Sequence, residues 1–336
     1  MQDLAKLCSR LTVSLRCVPR PWALSLGLLA WLLTLPTLPV HAEATFVPTG
    51  EVNDAQREQT LVIGRVASDP AKSVPPLADI ACYLARQMQA QGISRCQVLL
   101  ADNNTTMAHW LRDGTVDLVT ESPFSATYLK EASDAVPVAI GWRGGVKLYH
   151  SVVFVHKDSG LSSLQDLVGE TIAFEDAGST SAYFLPAASL RLNGHRLSPL
   201  ASVRQSPKPA FTNYVFSLDE ANSTAWVHKR LVSAAALSNL DWEDEGIVPP
   251  AMKRDLRIIF RTDNVPRSVE LVTAQRNDQF RQHLQDALLN AHRDPEGREI
   301  IQRFKDLTRF TAIDREAEKM LTDVAELMRR VKHELE

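Results

Sequence analysis

Cysteine is scarce in this 336-residue chain: there are four, and only Cys82 and Cys96 lie beyond residue 42. One bridge is the most the remainder can form. Past residue 42 no run is long and apolar enough to span a bilayer. Excess positive charge is missing too. Lysine and arginine total 37 against 40 acids, a formal net charge of −3. Such a surface does not coat itself with phosphate, which argues against nucleic acid as a partner. The usual catalytic signatures are also absent: no His-Glu-x-x-His, no Walker-type glycine loop, no Gly-x-Gly-x-x-Gly after a strand and no Gly-x-Ser-x-Gly. Nine histidines are scattered without metal-ligand spacing, so neither a metal nor a cofactor is expected. No repeat of constant period and no low-complexity segment is present.

Residues 1–42 read as a secretory signal. Lys6, Arg10, Arg16 and Arg20 make a basic start, Trp22 to Leu35 is apolar, and Val40-His41-Ala42 is a small-x-Ala cleavage pattern. A membrane anchor is the alternative, but the apolar core is short and Pro36 and Pro39 end it. Residues 43–59 are polar and aperiodic and read as a leader.

From Thr60 the pattern alternates. Thr60 to Val66 reads as a strand, and Ala67 to Pro75 as a loop. Leu77, Ile80, Ala81, Leu84 and Met88 form a helical stripe, followed by a strand at Cys96 to Leu100. A helix opens at Asn103-Asn104-Thr105-Thr106 and closes at Gly114, before a third strand over Val116 to Thr120. This is the alternation of a parallel sheet with helical crossovers, hence an α/β fold. The carboxyl end of the third strand, Glu121-Ser122-Pro123-Phe124, is where open α/β sheets bind ligands. Val136 to Gly141 and Tyr149 to His156 read as two further strands. An irregular, proline-bearing stretch follows Gly194. Asp219 to Arg230 reads as a helix, Leu231 to Leu237 and Arg257 to Phe260 as strands, and the tail as all helix. Its last stripe, Ala317 to Leu335, packs on the protein's own lobe or docks a partner.

Geometry speaks against a Cys82–Cys96 bridge. A helix running on to Gly92 carries the chain about 13 Å past Cys82 at ~1.5 Å per residue. Cys96 sits only at the start of the following strand, and bridged Cα atoms must lie within about 7 Å. Two buried free thiols are therefore expected.

The stretch of greatest interest is Phe174-Glu175-Asp176-Ala177-Gly178-Ser179-Thr180-Ser181-Ala182. A short apolar strand ends here and a helix opens. Unpaired N–H groups and the positive end of the helix dipole sit at that start. Ser179, Thr180 and Ser181 serve there as plain caps or, with the N–H groups, as an anion cradle. The cradle follows Tyr149-x-Ser151, an apolar strand, Asp158-Ser159-Gly160 and Ser163-Leu164-x-Asp166-Leu167-x-Gly169. That order resembles the phosphate/phosphite/phosphonate substrate-binding family of ABC transporters, most densely from Tyr149 to Gly194. The resemblance implies a two-lobed periplasmic binding protein of type II, a Venus flytrap with two hinge crossovers. Lobe 1 would hold residues 60–148 and 265–336, and lobe 2 residues 149–264. It implies a monomer in the periplasm, a small anionic ligand between the lobes, and a membrane permease as partner. The hydroxyls of Ser179, Thr180 and Ser181 would grip phosphoryl oxygens, with Ser122, Phe124 and Tyr149 at the same cleft.

Two positions depart from the family pattern. The Ser-His pair of phosphonate-binding members is replaced by Phe216-Ser217-Leu218-Asp219-Glu220, and the Pro-x-x-Tyr loop by Pro123-Phe124-Ser125-Ala126. Asp219 and Glu220 either face the ligand, accepting its proton or a cationic group, or simply favour a helix start. The expected function is delivery of a phosphonate, phosphate or phosphite to a permease. The alternatives are a periplasmic sensor that partners a membrane kinase, and a receptor for a non-phosphorus ligand. Glu175-Asp176 beside three hydroxyls also suggests a hydrolase, but no histidine lies near in sequence to serve as base.

Overall fold

The computed structural model describes residues 44–46, 54–67 and 70–335. The expected signal segment and part of the leader lie outside these residues. The first half of the chain supplies β1 (Ala44–Phe46), β2 (Thr60–Val66), α1 (Pro70–Gln87), β3 (Arg95–Ala101), α2 (Asn104–Arg112), β4 (Leu118–Glu121), α3 (Pro123–Ser133) and β5 (Val136–Arg143). A short strand, β6 (Leu148–Tyr149), leads into β7 (Ser151–His156), β8 (Thr171–Phe174), α4 (Leu185–Leu192), β9 (Leu197–Pro199), β10 (Thr212–Phe216) and α5 (Glu220–His228). Then come β11 (Ala234–Ser238), α6 (Asn239–Glu243), α7 (Pro250–Lys253), β12 (Leu256–Arg261) and β13 (Val265–Pro266). β14 (Ser268–Val272), α8 (Asp278–Asn290), α9 (Pro295–Arg303), β15 (Leu307–Thr311) and α10 (Arg315–Leu335) complete the fold.

Two sheets result. The seven-stranded one runs β1-β3-β2-β4-β14-β5-β15, and the six-stranded one β12-β7-β11-β8-β10-β9. β6 and β13 pair with each other, antiparallel, where the chain leaves the first sheet and returns. The protein is thus a two-lobed α/β molecule whose crossovers form a small ribbon.

β2 shows why the first sheet is double-faced. Its residues are nearly all apolar, and successive side chains point to opposite sides. Leu61 and Ile63 enter a core with α1, α8 and α9, while Val62 enters a second core with α2 and Ala317 of α10. The second sheet is likewise covered on both faces. A fifth apolar cluster joins Tyr149, Phe184, Leu185, Val265, Val324 and Val331, so α10 packs across the crossovers and against α3 and α4. Among the described residues no helix is long and apolar enough to cross a membrane.

Several expectations need correction. Cys82 and Cys96 are bridged, with Cα atoms 5.0 Å apart. The helix stops at Gln87, only five residues past Cys82, and a 3-10 turn over Gln89–Gln91 and the left-handed Gly92 double the chain back. α1 begins at Pro70, with Pro75 and Pro76 inside it, both close enough to the helix start that few intrahelical bonds are lost. The leader is structural: Ala44–Phe46 add an edge strand beside β3. Arg57 also meets buried Asp117 at 2.6 Å, sharing it with Arg276. The run Tyr149 to His156 breaks at His150 into strands of different sheets. The irregular stretch after Gly194 holds β9 and β10, and the tail holds β15 between helices.

Candidate functional site

The cradle segment does not start as an ordinary helix. Thr180–Phe184 form a π-helical turn, closed by a bond from Phe184 N–H to the Ser179 carbonyl (2.9 Å), before α4 takes over. Single π turns recur at functional sites because they re-aim side chains. Ser179 caps this turn, accepting from the Ala182 N–H at 3.1 Å. Thr180 is buried and spans the two lobes: its hydroxyl donates to Ser122 Oγ and accepts from the Phe124 N–H, both at 2.9 Å. Ser125 Oγ adds a bond to the Gly178 carbonyl at 3.1 Å. Phe124 stacks on Phe184 with centroids 4.3 Å apart. Ser181 is held through its carbonyl, which accepts from Ser151 Oγ at 2.5 Å.

These residues line a cleft of about 710 Å³ between the sheets. Of the sequence-derived candidates, Ser179, Thr180, Ser181, Ser122, Phe124, Tyr149 and Glu220 all lie on it. Asp219 does not. Its carboxylate accepts from the backbone N–H groups of Ala221 (2.8 Å) and Asn222 (3.1 Å), so it acts as the N-cap of α5. For Asp219 the helix-start alternative replaces the ligand-facing one.

The cleft also gathers charges that the sequence reading did not single out. Arg65 (β2), Arg143 (β5), Arg267 (between β13 and β14) and Lys305 bring four cations, all from the first lobe or the crossover. Glu175, Asp176, Glu220 and Asp241 bring acids from the second lobe, and Asp102 and Glu121 from the first. Burial pushes the Glu175 carboxyl up to about 8, reinforced by repulsion from Glu220 and Asp176. Glu220 is raised as well, again mainly by burial. The two carboxyls therefore hold a proton between them at neutral pH. Lys305, whose Nζ donates to the Thr120 carbonyl at 2.9 Å, is pulled down to about 8 by burial. Glu121 and Glu270 are raised by the same cause, Glu270 to about 7.

Tyr149 connects cradle and cations. Its ring lies under the Arg267 guanidinium, 4.5 Å from ring centroid to Cζ. Burial raises its phenol pKa, while Arg267 and the hydroxyls of Thr180 and Ser181 act in the opposite sense. A sequence signal for Arg267 existed: it directly follows the return crossover Val265-Pro266, and residues flanking a hinge border the cleft. Arg143 carried a weaker one, standing before Gly144-Gly145, both at positive φ in the turn that ends β5. Among the described residues no group of three His, Cys, Asp or Glu is placed to hold a metal ion. Chemically the cleft combines hydroxyl donors with cations from the first lobe and crossover, and with carboxyls from both lobes.

The profile of a family described as the periplasmic substrate-binding protein of phosphonate ABC transporters matches residues 67–317. XAC2383 from Xanthomonas citri, solved with chloride, is 36% identical over 82% of this chain and 99% of its own, with a TM-score of 0.79. The same protein solved with ATP gives 35% identity over 83% of this chain and 100% of its own, with a TM-score of 0.78. PhnD1 from Prochlorococcus marinus, in complex with methylphosphonate, shares the fold at 18% identity and a TM-score of 0.61, over 82% of this chain and 99% of its own.

Proposed function

This chain belongs to the periplasmic substrate-binding family of phosphonate ABC transporters, and from that premise we propose that it captures a small phosphorus oxyanion between its lobes and delivers it to a membrane permease. The observation that carries this reading is the meeting of the Ser179–Ser181 turn with Ser122, Phe124 and Tyr149 across one cleft. Oriented O–H and N–H donors hold a desolvated oxyanion without needing a full countercharge each. Export to the periplasm by the segment 1–42, action as a monomer and absence of turnover belong to the same proposal.

The dimensions of the cleft favour an organic phosphorus compound over bare phosphate. A volume near 710 Å³ equals roughly two dozen waters at ~30 Å³ each. Methylphosphonate in PhnD1 and ATP in XAC2383 mark a wide range of ligand size on this scaffold.

The test is calorimetric and thermal. Protein stripped of carried-over ligand by unfolding and refolding is titrated with phosphate, phosphite, methylphosphonate, 2-aminoethylphosphonate and sulfate. A ligand at 100-fold its Kd adds ~2.7 kcal/mol, a shift of several degrees. Thr180→Ala weakens oxyanion binding by at least ~1 kcal/mol, the scale of a lost hydrogen bond to a charged group, while Thr180→Ser retains it. Unchanged affinity in folded Thr180→Ala removes the cradle from the site.

A further inference from the structure

Arg143 and Arg267 stand out among the charged residues of the cleft. Arg65, on the same cleft, is answered by the Glu121 charge, and two guanidiniums away from it are paired outright. Arg57 and Arg276 converge on Asp117, and Arg276 also meets Glu58 at 2.8 Å. Among the described residues, neither Arg143 nor Arg267 has a carboxylate within ion-pairing distance or a side-chain hydrogen bond. The Nε of Arg267 is buried with no hydrogen-bond partner at all. A buried, unpaired donor on a charged group is costly, and a native fold retains one where another molecule supplies the acceptor. The two guanidiniums also act on each other. After desolvation, Arg267 is the largest influence lowering the Arg143 pKa, and Asp241 and Glu220 act in the opposite sense. Ser268 of β14 pairs with Gly141 of β5, so Arg143 and Arg267 stand at neighbouring positions of one sheet end, and two cations on one cleft are the arrangement that a bound anion relieves.

Their position relative to the cradle is fixed by one side chain. The Tyr149 ring carries Arg267 on its face and lines the same cleft as Thr180 and Ser181. The hydroxyl donors, Tyr149 and both guanidiniums therefore line one cleft, which a single ligand can occupy.

We propose that Arg143 and Arg267 form a second oxyanion subsite, so that the ligand preferred by this protein carries two anionic groups, one in the hydroxyl cradle and one on the arginine pair. This rests on the cradle reading above and adds the class of ligand: a short compound with a phosphoryl group and a second oxyanion, phosphate or carboxylate. Arg143 projects from the end of β5 and Arg267 from the return crossover, so the pair belongs to the first lobe and hinge, while the cradle belongs to the second. A doubly anionic ligand thus engages both lobes.

Isothermal titration of the purified chain at fixed ionic strength tests this with four probes: methylphosphonate, phosphonoacetate, pyrophosphate and 2-aminoethylphosphonate. The parent protein binds at least one doubly anionic probe about tenfold or more tighter than methylphosphonate, the gain expected of a charge-assisted bidentate pair. Phosphonoacetate and pyrophosphate separate a carboxylate from a phosphate as the second group. Arg143→Gln and Arg267→Lys weaken the doubly anionic probe several-fold more than methylphosphonate, so that the preference is lost. Arg143→Gln alters a largely solvent-reaching side chain, so it tests the proposal even if Arg267 variants fold poorly. Equal affinity for singly and doubly anionic probes overturns the proposal, as does tightest binding of 2-aminoethylphosphonate, which would assign the second group to the acids. Thr180→Ala, measured alongside, separates the two readings. If it changes nothing while the arginine variants weaken every probe equally, the cradle reading falls, the arginines become the single anion site and the two-anion ligand is overturned with it.

Discussion

Glu175 and Glu220 show how a few side chains set the pH response of the molecule. Both sit half-buried on the cleft, and the folded Glu175 carboxyl titrates at about 8 against an ordinary 4.5. A carboxyl raised on folding contributes stability that is fully present below its unfolded pKa and is lost as pH rises through the folded one. Glu175→Gln removes that loss. The difference in melting temperature between Glu175→Gln and the parent protein is therefore expected to grow in favour of the variant from about pH 4.5 and to level off above about pH 8. A difference independent of pH would show that the pair carries no shared proton. Above pH 8 the second negative charge also faces the cradle, so oxyanion affinity falls there in the parent and less in the variant. The hydroxyl run at Ser179–Ser181 was legible because three adjacent hydroxyls before a helix are a local pattern. The Arg143–Arg267 pair was not, because the two residues are far apart in sequence and meet only where β5 and the return crossover converge. Asp219 and Glu220 illustrate the limit between these cases. Adjacent and alike in charge, they divide between a helix cap and the cleft, and only backbone geometry decides which does which.

Among the elements, α1 and β3 gave the least expected result. The strand limits were readable, since β2 spans Thr60–Val66 as its unbroken apolar run implies. The end of α1 was not, because no glycine or proline marks Gln87, and the stripe continues through Met88. That five-residue difference turns an implausible bridge into an observed one. The Cys82–Cys96 disulfide closes a loop of sequence separation 14. A loop of that length contributes about 3 kcal/mol by restricting the unfolded chain. Cys82→Ala/Cys96→Ala is expected to melt roughly 5 °C lower than the oxidised parent, on the per-residue entropy scaling for a chain of this size. An unchanged melting temperature together with two titratable thiols in the parent would remove the bridge. Three of the strands missed in sequence have one feature in common, while β10 lies inside its sheet between β8 and β9. β1, β9 and β15 are sheet edges of five residues or fewer, paired on one side only, so their patterns are short and half polar.

At the size of the whole molecule, apolar strands flanking polar connections near residues 148 and 265 were legible, and β6 and β13 pair there. The part played by α10 was not, since an amphipathic stripe does not say which surface it covers. Its Val324 and Val331 join Tyr149 and Val265 at the ribbon, which places an apolar pivot behind the cleft. In front of that pivot the lobes are linked by three hydrogen bonds: Thr180 to Ser122, Phe124 N–H to Thr180, and Ser125 to Gly178. At ~0.5–1.5 kcal/mol each, such bonds hold a cleft only loosely when water competes for them. The free protein is therefore expected to open about the pivot, and a ligand bound to both lobes to close it by its greater affinity for the closed form. Small-angle scattering provides the measurement. The radius of gyration is expected to fall on saturation, and the profile calculated from this structure to fit the saturated protein better than the free one. Superimposable profiles, for a ligand that calorimetry shows to be bound, would mean that recognition occurs without lobe closure and that a permease or sensor must read some other feature of the bound state.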